Sequence, residues 1–352
     1  MKSEKSISPG PVAFFGSGET APNGRKVFQA LFERLPSSPR ISLLETPAGF
    51  ELNSPEVAGN IADFLEHSLQ NFNPRTTLIP ARKRGTDQSP EDPEILAPIL
   101  TSDMIFMGPG SPSYAIRQLQ SSLAWEYFTA RHRLGAGIAL ASASTIAVGS
   151  FALPVYEIYK VGEDIHWLEG LNLFGPYGLS LVFVPHWNNN EGGESLDTSR
   201  CFMGKARFQP LKAMLPDDQT IAGIDEHTGL IMDLEDESCD VIGLGNVTIQ
   251  KGESEKKYPA GNTFSIYELG EFRMPEASEG IQKQIMELAF EKEAENMQGE
   301  QKRNQKVKEL LDKRKQARQK EDWETSDQLR EKIAQLGWEV RDTPEGQKLA
   351  KL

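Results

Sequence analysis

The chain has 352 residues, of which 38% are hydrophobic, so it can bury a substantial core in one large domain with an appendage or in two domains. Its formal net charge of −13 argues against a body that binds nucleic acid generally. No apolar run reaches the roughly 18 to 20 residues of a membrane span, and the polar N-terminus lacks a signal-peptide core, so we expect a cytoplasmic protein without a membrane partner. Cys201 and Cys239 have neither metal-ligand spacing nor the density of a disulfide scaffold, so reduced thiols and no bound metal are expected.

The charge is unevenly distributed along the chain. Residues 301–352 contain 14 Lys+Arg and 10 Asp+Glu, so the remaining residues carry all of the acidic excess. This difference predicts a boundary between an acidic body and a small basic tail. We expect an α/β domain over residues 1–272, a helical linker over 273–304 and a C-terminal α-helical domain over 305–352.

Short apolar runs alternate with glycine-rich turns and amphipathic segments through the first two thirds of the chain. This order of strand, turn and helix predicts an α/β fold with a doubly wound, mostly parallel, flavodoxin-like sheet, whose functional turns lie at the carboxyl ends of the strands. The predicted strands cover residues 12–15, 41–44, 78–79, 103–107, 138–141, 179–184, 220–224, 230–232, 241–249 and 264–269; the predicted helices cover 25–35, a segment from Ser54, a segment from Ser113 through Phe128, 145–149 and 200–214.

One strand-to-helix turn carries the first candidate catalytic residue. The run GIALASASTIAVG predicts a strand buried on both faces and a helix directly behind it, with Ser142 at the sharp turn between them. α/β hydrolases place a nucleophile at such a turn, because it lifts the hydroxyl out of the sheet and points the next backbone N–H, that of Ala143, at the oxyanion. Leu140 and Ser144 replace the glycines of the G-x-S-x-G pattern, so a buried strand with a helix N-cap is the alternative interpretation.

Two further candidates follow later strands. One predicted strand stops just before His186, and another leads into Asp225 and Glu226. If the sheet is parallel, these residues share an edge with Ser142, and the three could form a nucleophile, a base and an orienting acid. Because side chains alternate along a strand, only one of Asp225 and Glu226 is expected to face the site.

The order of these pieces resembles the cyanophycinase and dipeptidase E family of serine peptidases, which has a class I glutamine amidotransferase-like fold. The resemblance covers about residues 10–270 and rests on FFGSGE, FMGPGSPSYAIRQL, ALASAS, FVPH and GIDEHTGLIM. It implies that Ser142 is the nucleophile, His186 the base and Glu226 the third member of the triad.

The resemblance also implies how the oxyanion and the substrate are bound. Oxyanion donors would be the backbone N–H of Ala143 and one from the loop between Gly108 and Gly110, with Ser144 and Asp225 beside the substrate. The implied reaction is cleavage of a peptide or related amide, and the triad requires no cofactor. The turn reads A-S-A-S where the family typically has T-S-A-G, and Pro185 stands where Gln is common. A catalytically inactive binding protein on the same fold therefore remains the alternative.

The tail carries a second resemblance. From Lys306, the sequence KVKELLDKRKQARQKEDWETSDQLREKIAQLGWEVRDTPEGQKL is similar to the C-terminal helical segment of cysteinyl-tRNA synthetases. No HIGH-like or KMSKS-like signature and no set of zinc ligands accompanies it, so aminoacylation is not expected. The apolar positions of a helix pair, with Gly337 ending the second helix, are Leu310, Leu311, Ala317, Trp323, Leu329, Ile333 and Leu336.

Two interpretations of this helix pair stay open. A solvated helical hairpin that packs on a neighbour or makes a homo-oligomer contact is the simpler one, and the modest positive charge favours it. The other is contact with tRNA or another RNA, in which Trp323 stacks on a base. The basic residues that would make this contact are Arg314, Lys315, Arg318, Lys320 and Arg330.

Overall fold

Helices and strands alternate along most of the chain. The computed structural model describes residues 7–343 and 346–351. In these ranges no helix has the length and apolar character needed to cross a lipid bilayer. The α-helices are α1 (Pro22–Phe32), α2 (Ser54–Ser68), α3 (Pro93–Leu96), α4 (Pro112–Leu119), α5 (Leu123–Arg133), α6 (Ala143–Ala147), α7 (Gly204–Ala213), α8 (Lys283–Gln319) and α9 (Trp323–Gln335).

Within the part of the chain that the structure describes, the strands form two main sheets and two short ribbons. The eight-stranded sheet has the order β14-β11-β10-β1-β5-β4-β2-β3. Five neighbouring strands, β1, β5, β4, β2 and β3, are parallel, whereas β10, β11 and β14 extend the sheet with antiparallel pairing. This arrangement confirms the predicted α/β class. The strands are β1 (Val12–Phe15), β2 (Arg40–Leu44), β3 (Arg75–Ile79), β4 (Met104–Met107), β5 (Gly137–Ala141), β6 (Phe151–Ala152), β7 (Leu168–Glu169), β8 (Leu181–Val184), β9 (Thr220–Ile224), β10 (Thr228–Asp233), β11 (Ser238–Gly243), β12 (Asn246–Lys251), β13 (Ser254–Pro259), β14 (Thr263–Ser265), β15 (Trp338–Thr343) and β16 (Gly346–Lys351).

The central strands are buried on both faces, which explains why their sequences are continuously apolar. In β1 and β5 the side chains alternate between two cores on opposite faces of the sheet. Phe14 and Leu140 point into the larger core, whereas Phe15 and Ala141 point into the core beneath α1 and α2. Ser142 therefore follows a strand that is buried along its whole length.

A second sheet packs on the larger core. It has four strands in the order β13-β12-β9-β8, of which β8 and β9 are parallel. The stacked rings of Phe14 and Phe183, with centroids 4.2 Å apart, join the two sheets. The sequence led us to expect His186 and Ser142 at one edge of a single sheet; instead, the strand before His186 belongs to this second sheet. The packing of the sheets, rather than strand pairing, brings their carboxyl ends together.

Several predicted boundaries change in the structure. The helix predicted from Ser113 through Phe128 is two helices, α4 and α5, because Ser121 adopts a positive φ of 57° between them. The helix predicted over residues 200–214 begins at Gly204, after three consecutive residues with left-handed backbone. The strand predicted over residues 241–249 divides into β11 and β12, which belong to different sheets.

The C-terminal part is a helix pair capped by a hairpin. The end of α8, α9 and the β15–β16 hairpin enclose a small apolar core centred on Val307, Ile333 and Val340. Arg314 is buried beside this core and makes two hydrogen bonds of 2.9 Å with the Asp342 carboxylate. The predicted RNA contact through Arg314 is therefore not supported, because its guanidinium joins the hairpin to α8.

The segment predicted as a helical linker continues into the C-terminal part without a break. Helix α8 runs for 37 residues across the expected boundary at residue 304. Its first turns dock on the α/β domain, where Arg131 pairs with Glu293 at 3.2 Å and Arg40 donates to Asn296 at 2.8 Å. The guanidinium of Arg133 donates to three backbone carbonyls within residues 276–279, just before α8. These polar contacts fix the start of the helix.

Candidate active site

Ser142 lies at the turn between β5 and α6. Its backbone has φ 52° and ψ −110°, a conformation that is strained for a residue with a side chain. Because β5 is buried and α6 begins at the next residue, the turn cannot relax without displacing one of them. This is the local geometry of a nucleophile elbow, in which the serine hydroxyl is raised above the sheet.

Two hydroxyl groups behind the turn hold it in place. Ser144 is fully buried and donates a hydrogen bond of 2.6 Å to the carbonyl of Gly108, while Thr145 donates one of 2.9 Å to the carbonyl of Leu140. The Leu140 side chain fills the core between the two sheets, where a glycine would leave a void. The residues that depart from the G-x-S-x-G pattern therefore have structural functions.

His186 follows β8 and also has a left-handed backbone, with φ 52°. Its N–H donates to the carbonyl of Gly16 at the end of β1, at 3.0 Å. A Cβ at Gly16 would lie 2.0 Å from the carbonyl oxygen of Asp225, so only glycine allows the turns after β1 and β9 to approach this closely. The close approach places the histidine turn beside the acid turn.

The imidazole of His186 is oriented by Glu226. Nδ1 of His186 lies 3.0 Å from Oε1 of Glu226, and the Asn189 amide donates to the same oxygen at 2.9 Å. The backbone N–H of Glu226 donates to the Asn188 side chain at 2.7 Å. With the proton on Nδ1 directed at the carboxylate, Nε2 is left as the acceptor, which is the tautomer a general base requires.

The same contacts keep Glu226 ionised. Partial burial acts to raise the pKa of Glu226, but the hydrogen bonds from Asn189 and His186 outweigh it, and the pKa is lowered from its ordinary value. A carboxylate in this position stabilises a protonated imidazole.

Ser142 and His186 line one cavity of about 370 Å³. Within residues 7–343 and 346–351 the structure contains no hydrogen bond between the Ser142 hydroxyl and the imidazole, and such contacts are often long before substrate binds. The other walls combine the glycine loop with aromatic and charged side chains. The lining is completed by Gly110, Pro112, Ala143, Ile146, Val155, Tyr156, Tyr159, Lys160, Glu191, Cys201 and Phe202.

Cys201 is a second nucleophile type in the cavity, but its surroundings keep it neutral. Burial, together with the nearby Glu226 carboxylate, raises the pKa of the Cys201 thiol to about 12. Because the thiolate is the reactive form, the thiol is inert at neutral pH. Ser142 is thus the stronger nucleophile candidate in this cavity.

The predicted oxyanion and substrate residues divide into two groups. Ala143 and Gly110 line the cavity, and the N–H of Ala143 is among the first of α6, which the helix itself leaves unpaired. Gly108 and Ser144 lie behind the turn, bonded to each other. Asp225 is buried, and its carboxylate accepts hydrogen bonds from the backbone and side chain of Asn246. The structure therefore does not bring these last three to the cavity.

Sequence reasoning assigned no function to several residues that shape the site. Asn188 and Asn189 orient Glu226, and Tyr156, Tyr159 and Phe202 form an aromatic wall. The run of three asparagines directly after the histidine strand was the available signal for the first pair. Tyr156 and Tyr159 come from a short helical segment with a π-helix over Glu157–Val161, and Phe202 comes from a turn, so no apolar repeat in the sequence marks them. Among the described residues, no cluster of three or more His, Cys, Asp or Glu side chains is arranged to hold a metal.

The fold is shared with a solved peptidase. A crystal structure of a peptidase from an acI-B1 Actinobacterium aligns with a TM-score of 0.58 and 20% identity, over 73% of this chain and 97% of that one. A putative peptidase E protein from Listeria monocytogenes EGD-e aligns with a TM-score of 0.43 and 13% identity, over 72% of this chain and all of the other. The first alignment establishes a common fold for the α/β domain.

The tail has relatives of a different kind. Residues 304–348 match the family described as the cysteinyl-tRNA ligase anticodon binding domain. Over 43 residues, 12% of this chain, the sequence is 44% identical to cysteine–tRNA ligase of Lactobacillus helveticus (strain DPC 4571). The chain spans only 9% of the length of that ligase. The composite predicted from the sequence, a peptidase-like fold followed by a synthetase-like tail, is confirmed.

Proposed function

We propose that the α/β domain is a serine hydrolase of the cyanophycinase and dipeptidase E type, which cleaves a peptide or related amide. The observation that carries this proposal is a strained serine and a carboxylate-oriented histidine lining one cavity. The fold shared with a peptidase supports it.

The proposed reaction begins when the Ser142 hydroxyl attacks the scissile carbonyl carbon and its proton passes to Nε2 of His186. The carbonyl oxygen becomes an oxyanion, which the N–H groups of Ala143 and Gly110 stabilise. Glu226 stabilises the imidazolium without taking its proton. Collapse of the intermediate expels the amine, which takes the proton from His186 and leaves an acyl ester on Ser142. Water then attacks the ester carbon and gives a proton to His186; as the bond to Ser142 breaks, His186 returns this proton to the serine oxygen and the carboxylic acid is released.

The competing proposal is a binding protein on the same fold that has lost catalysis. The departures at Leu140 and Pro185 favour it, and the packing of Leu140 in the core weakens it, because that side chain is completely buried and does not line the cavity.

A fluorophosphonate probe distinguishes the two proposals. For the hydrolase, we expect covalent labelling of the full chain that is lost in Ser142→Ala and retained in Cys201→Ala, since Cys201 lines the same cavity as a neutral thiol. Peptide turnover should disappear with the same substitution. Absence of labelling and of turnover in the unaltered protein would reject the hydrolase and favour the binding protein.

For the tail we propose RNA contact, because residues 304–348 match an anticodon-binding family. Lys315, Lys320 and Arg330 are exposed, and the Trp323 ring is 55% exposed with the Arg318 guanidinium 5.3 Å from its centre. An exposed ring beside cations can stack on an unpaired base while the cations neutralise phosphates.

Filter binding of a tRNA anticodon stem-loop to the full chain tests this proposal. We expect Trp323→Ala to cost about 1–3 kcal/mol of binding free energy. The triple charge reversal Lys315→Glu, Lys320→Glu, Arg330→Glu should weaken RNA binding and also reduce its dependence on salt concentration. The matched control reverses three exposed charges on the β12–β13 hairpin, Lys251→Glu, Lys256→Glu and Lys257→Glu, and should leave RNA binding unchanged. Equal binding by the control and the triple variant would leave the helix pair as a packing element only.

A further inference from the structure

A second cavity adjoins the one that contains Ser142. It has a volume of about 540 Å³ and is lined by Phe50, Glu51, Ser111, Tyr114, Arg117 and Tyr156. Tyr156 belongs to the walls of both cavities, and Ser111 lies between Gly110 and Pro112, which line the first. The two cavities are therefore neighbouring parts of one cleft, and a chain extended from Ser142 past the glycine loop enters the second.

The walls of this second cavity are aromatic rings that water partly covers. Phe50 is 50% exposed and Tyr156 is 44% exposed, although both are large and apolar enough to be buried at little cost. The rings of Phe50 and Tyr114 are tilted by 54° with centroids 5.1 Å apart, and Tyr156 completes the aromatic part of the lining. Exposed rings at the mouth of a cleft are typical of a binding surface rather than of a core.

The lining of this cavity also contains two charged residues, Glu51 and Arg117. The Arg117 guanidinium lies 5.2 Å from the centre of the Tyr114 ring, and the Tyr114 hydroxyl is fixed by a hydrogen bond of 2.9 Å to the carbonyl of Arg82. The Tyr114 ring is itself buried, so the surface that this end offers to a ligand is the exposed Arg117 guanidinium, whose plane stacks on an aromatic ring. An aliphatic side chain would fill the space without gaining these contacts.

We propose that this second cavity is a specificity subsite that takes an aromatic side chain of the substrate while the scissile amide lies at Ser142. This inference rests on the proposed hydrolase function and narrows its substrates to peptides with a Phe, Tyr or Trp residue near the cleaved bond. The subsite gives Phe50, Tyr114 and Tyr156 a recognition function that no part of the proposed mechanism requires.

Cleavage of a defined mixture of unblocked hexapeptides, varied at each position among Phe, Leu, Ala, Asp and Lys and followed by mass spectrometry, tests the subsite. We expect cleavage to favour peptides that have Phe at one fixed position relative to the cleaved bond. At that position, kcat/KM for the Phe peptide should be about tenfold or more above that for the Ala peptide. Phe50→Ala should reduce this ratio to about twofold. The matched control is Leu52→Ala, which is fully exposed in the same loop and outside the cavity and should leave the ratio unchanged. Cleavage without an aromatic preference, or a preference that survives Phe50→Ala, overturns the subsite.

A binding measurement separates this inference from the hydrolase proposal. In the Ser142→Ala protein, calorimetric titration with the Phe and Ala forms of one hexapeptide reports the subsite without catalysis. If Ser142→Ala binds the Phe form more tightly than the Ala form, and the double variant Ser142→Ala, Phe50→Ala binds both equally, the subsite is supported. This holds even if the unaltered protein is not labelled by the fluorophosphonate and does not cleave peptides. Equal affinities for the two forms reject the subsite, even if fluorophosphonate labelling upholds the hydrolase.

Discussion

The serine side and the histidine side of the cavity are built by different means. Ser142 and His186 share a φ of 52°, but Ser142 lies within one continuous strand-turn-helix unit and is held by apolar packing and hydroxyl contacts to the backbone. His186 and Glu226 follow two separate strands of the other sheet; the carboxylate of Glu226 orients the imidazole, and amide side chains hold Glu226. The difference teaches that the position of the nucleophile depends on the stability of the core, whereas the orientation of the base depends on a polar network.

Removing the imidazole of His186 is the change on the histidine side with the largest expected effect. We expect His186→Ala to lower kcat about 10³-fold or more, because it removes the base that takes the serine proton in the proposed reaction. Turnover of a cleaved hexapeptide measures the effect. The double variant with Ser142→Ala should be no slower than Ser142→Ala alone, since residues that act as a unit are not additive. A His186→Ala enzyme with near-normal turnover would contradict the triad.

Truncating Leu140 should act on the serine side through the core. The side chain is completely buried between the sheets, so Leu140→Ala should lower the free energy of unfolding by about 2–5 kcal/mol. Urea denaturation measures the loss, with the exposed Leu52→Ala as a control expected to stay within about 0.5 kcal/mol. If both variants unfold at the same midpoint, the core does not position the turn.

Removing the Ser144 hydroxyl is a smaller change at the same turn. Ser144→Ala leaves the buried carbonyl of Gly108 without its donor, which should cost about 1–3 kcal/mol of unfolding free energy. The exposed Ser37→Ala serves as the control in the same urea series. A Ser144→Ala protein as stable as this control would show that the link between turn and glycine loop contributes nothing to stability.

The smallest predicted effect depends on pH and lies on the histidine side. Because the folded pKa of Glu226 is lowered, its contacts stabilise the fold above its unfolded pKa, and this stability is lost as pH falls through the folded pKa. Asn189→Ala removes one of these contacts, so we expect about 0.5–1.5 kcal/mol of its cost to be present at pH 7 and lost in acid, whereas the loss of the hydrogen bond from the Glu191 N–H costs the same at both pH values.

Urea midpoints of Asn189→Ala at pH 7 and in acid measure this prediction. Asn188→Ala is the matched control, because its side chain accepts from the backbone N–H of Glu226 and does not touch the carboxylate. Its cost should be the same at both pH values. A cost for Asn189→Ala that does not change with pH would mean that its amide does not stabilise the ionised carboxylate.

The sequence was sufficient to find the strands that carry the candidate triad. Strands such as β1 and β5 are buried on both faces, and a continuous apolar run of four or five residues between turns is specific for that environment. The assignment of strands to sheets was not predictable, because it depends on distant contacts such as Phe14 against Phe183. For the same reason, the sequence did not show that the Asp225 carboxylate is directed away from the cavity, where it accepts a hydrogen bond from Asn246 of strand β12.

The sequence also failed to predict secondary-structure elements that are mostly polar. Strand β13 is almost entirely exposed, so it carries no apolar pattern that distinguishes it from a loop. The middle of α8 is polar around its circumference, so its sequence resembles that of a linker rather than of a packed helix. The burial of Arg314 was equally hidden, because its partner Asp342 lies in a hairpin with no strong strand signal.

The continuity of α8 makes it a spacer of fixed length and phase. A helix of 37 residues is about 55 Å long, and its start is fastened to the α/β domain while its end is part of the C-terminal core. Each residue added to its exposed middle would turn the tail by about 100° and lengthen the spacer by about 1.5 Å. The number of residues between Asn296 and Val307 therefore sets the direction in which the tail presents its basic side chains.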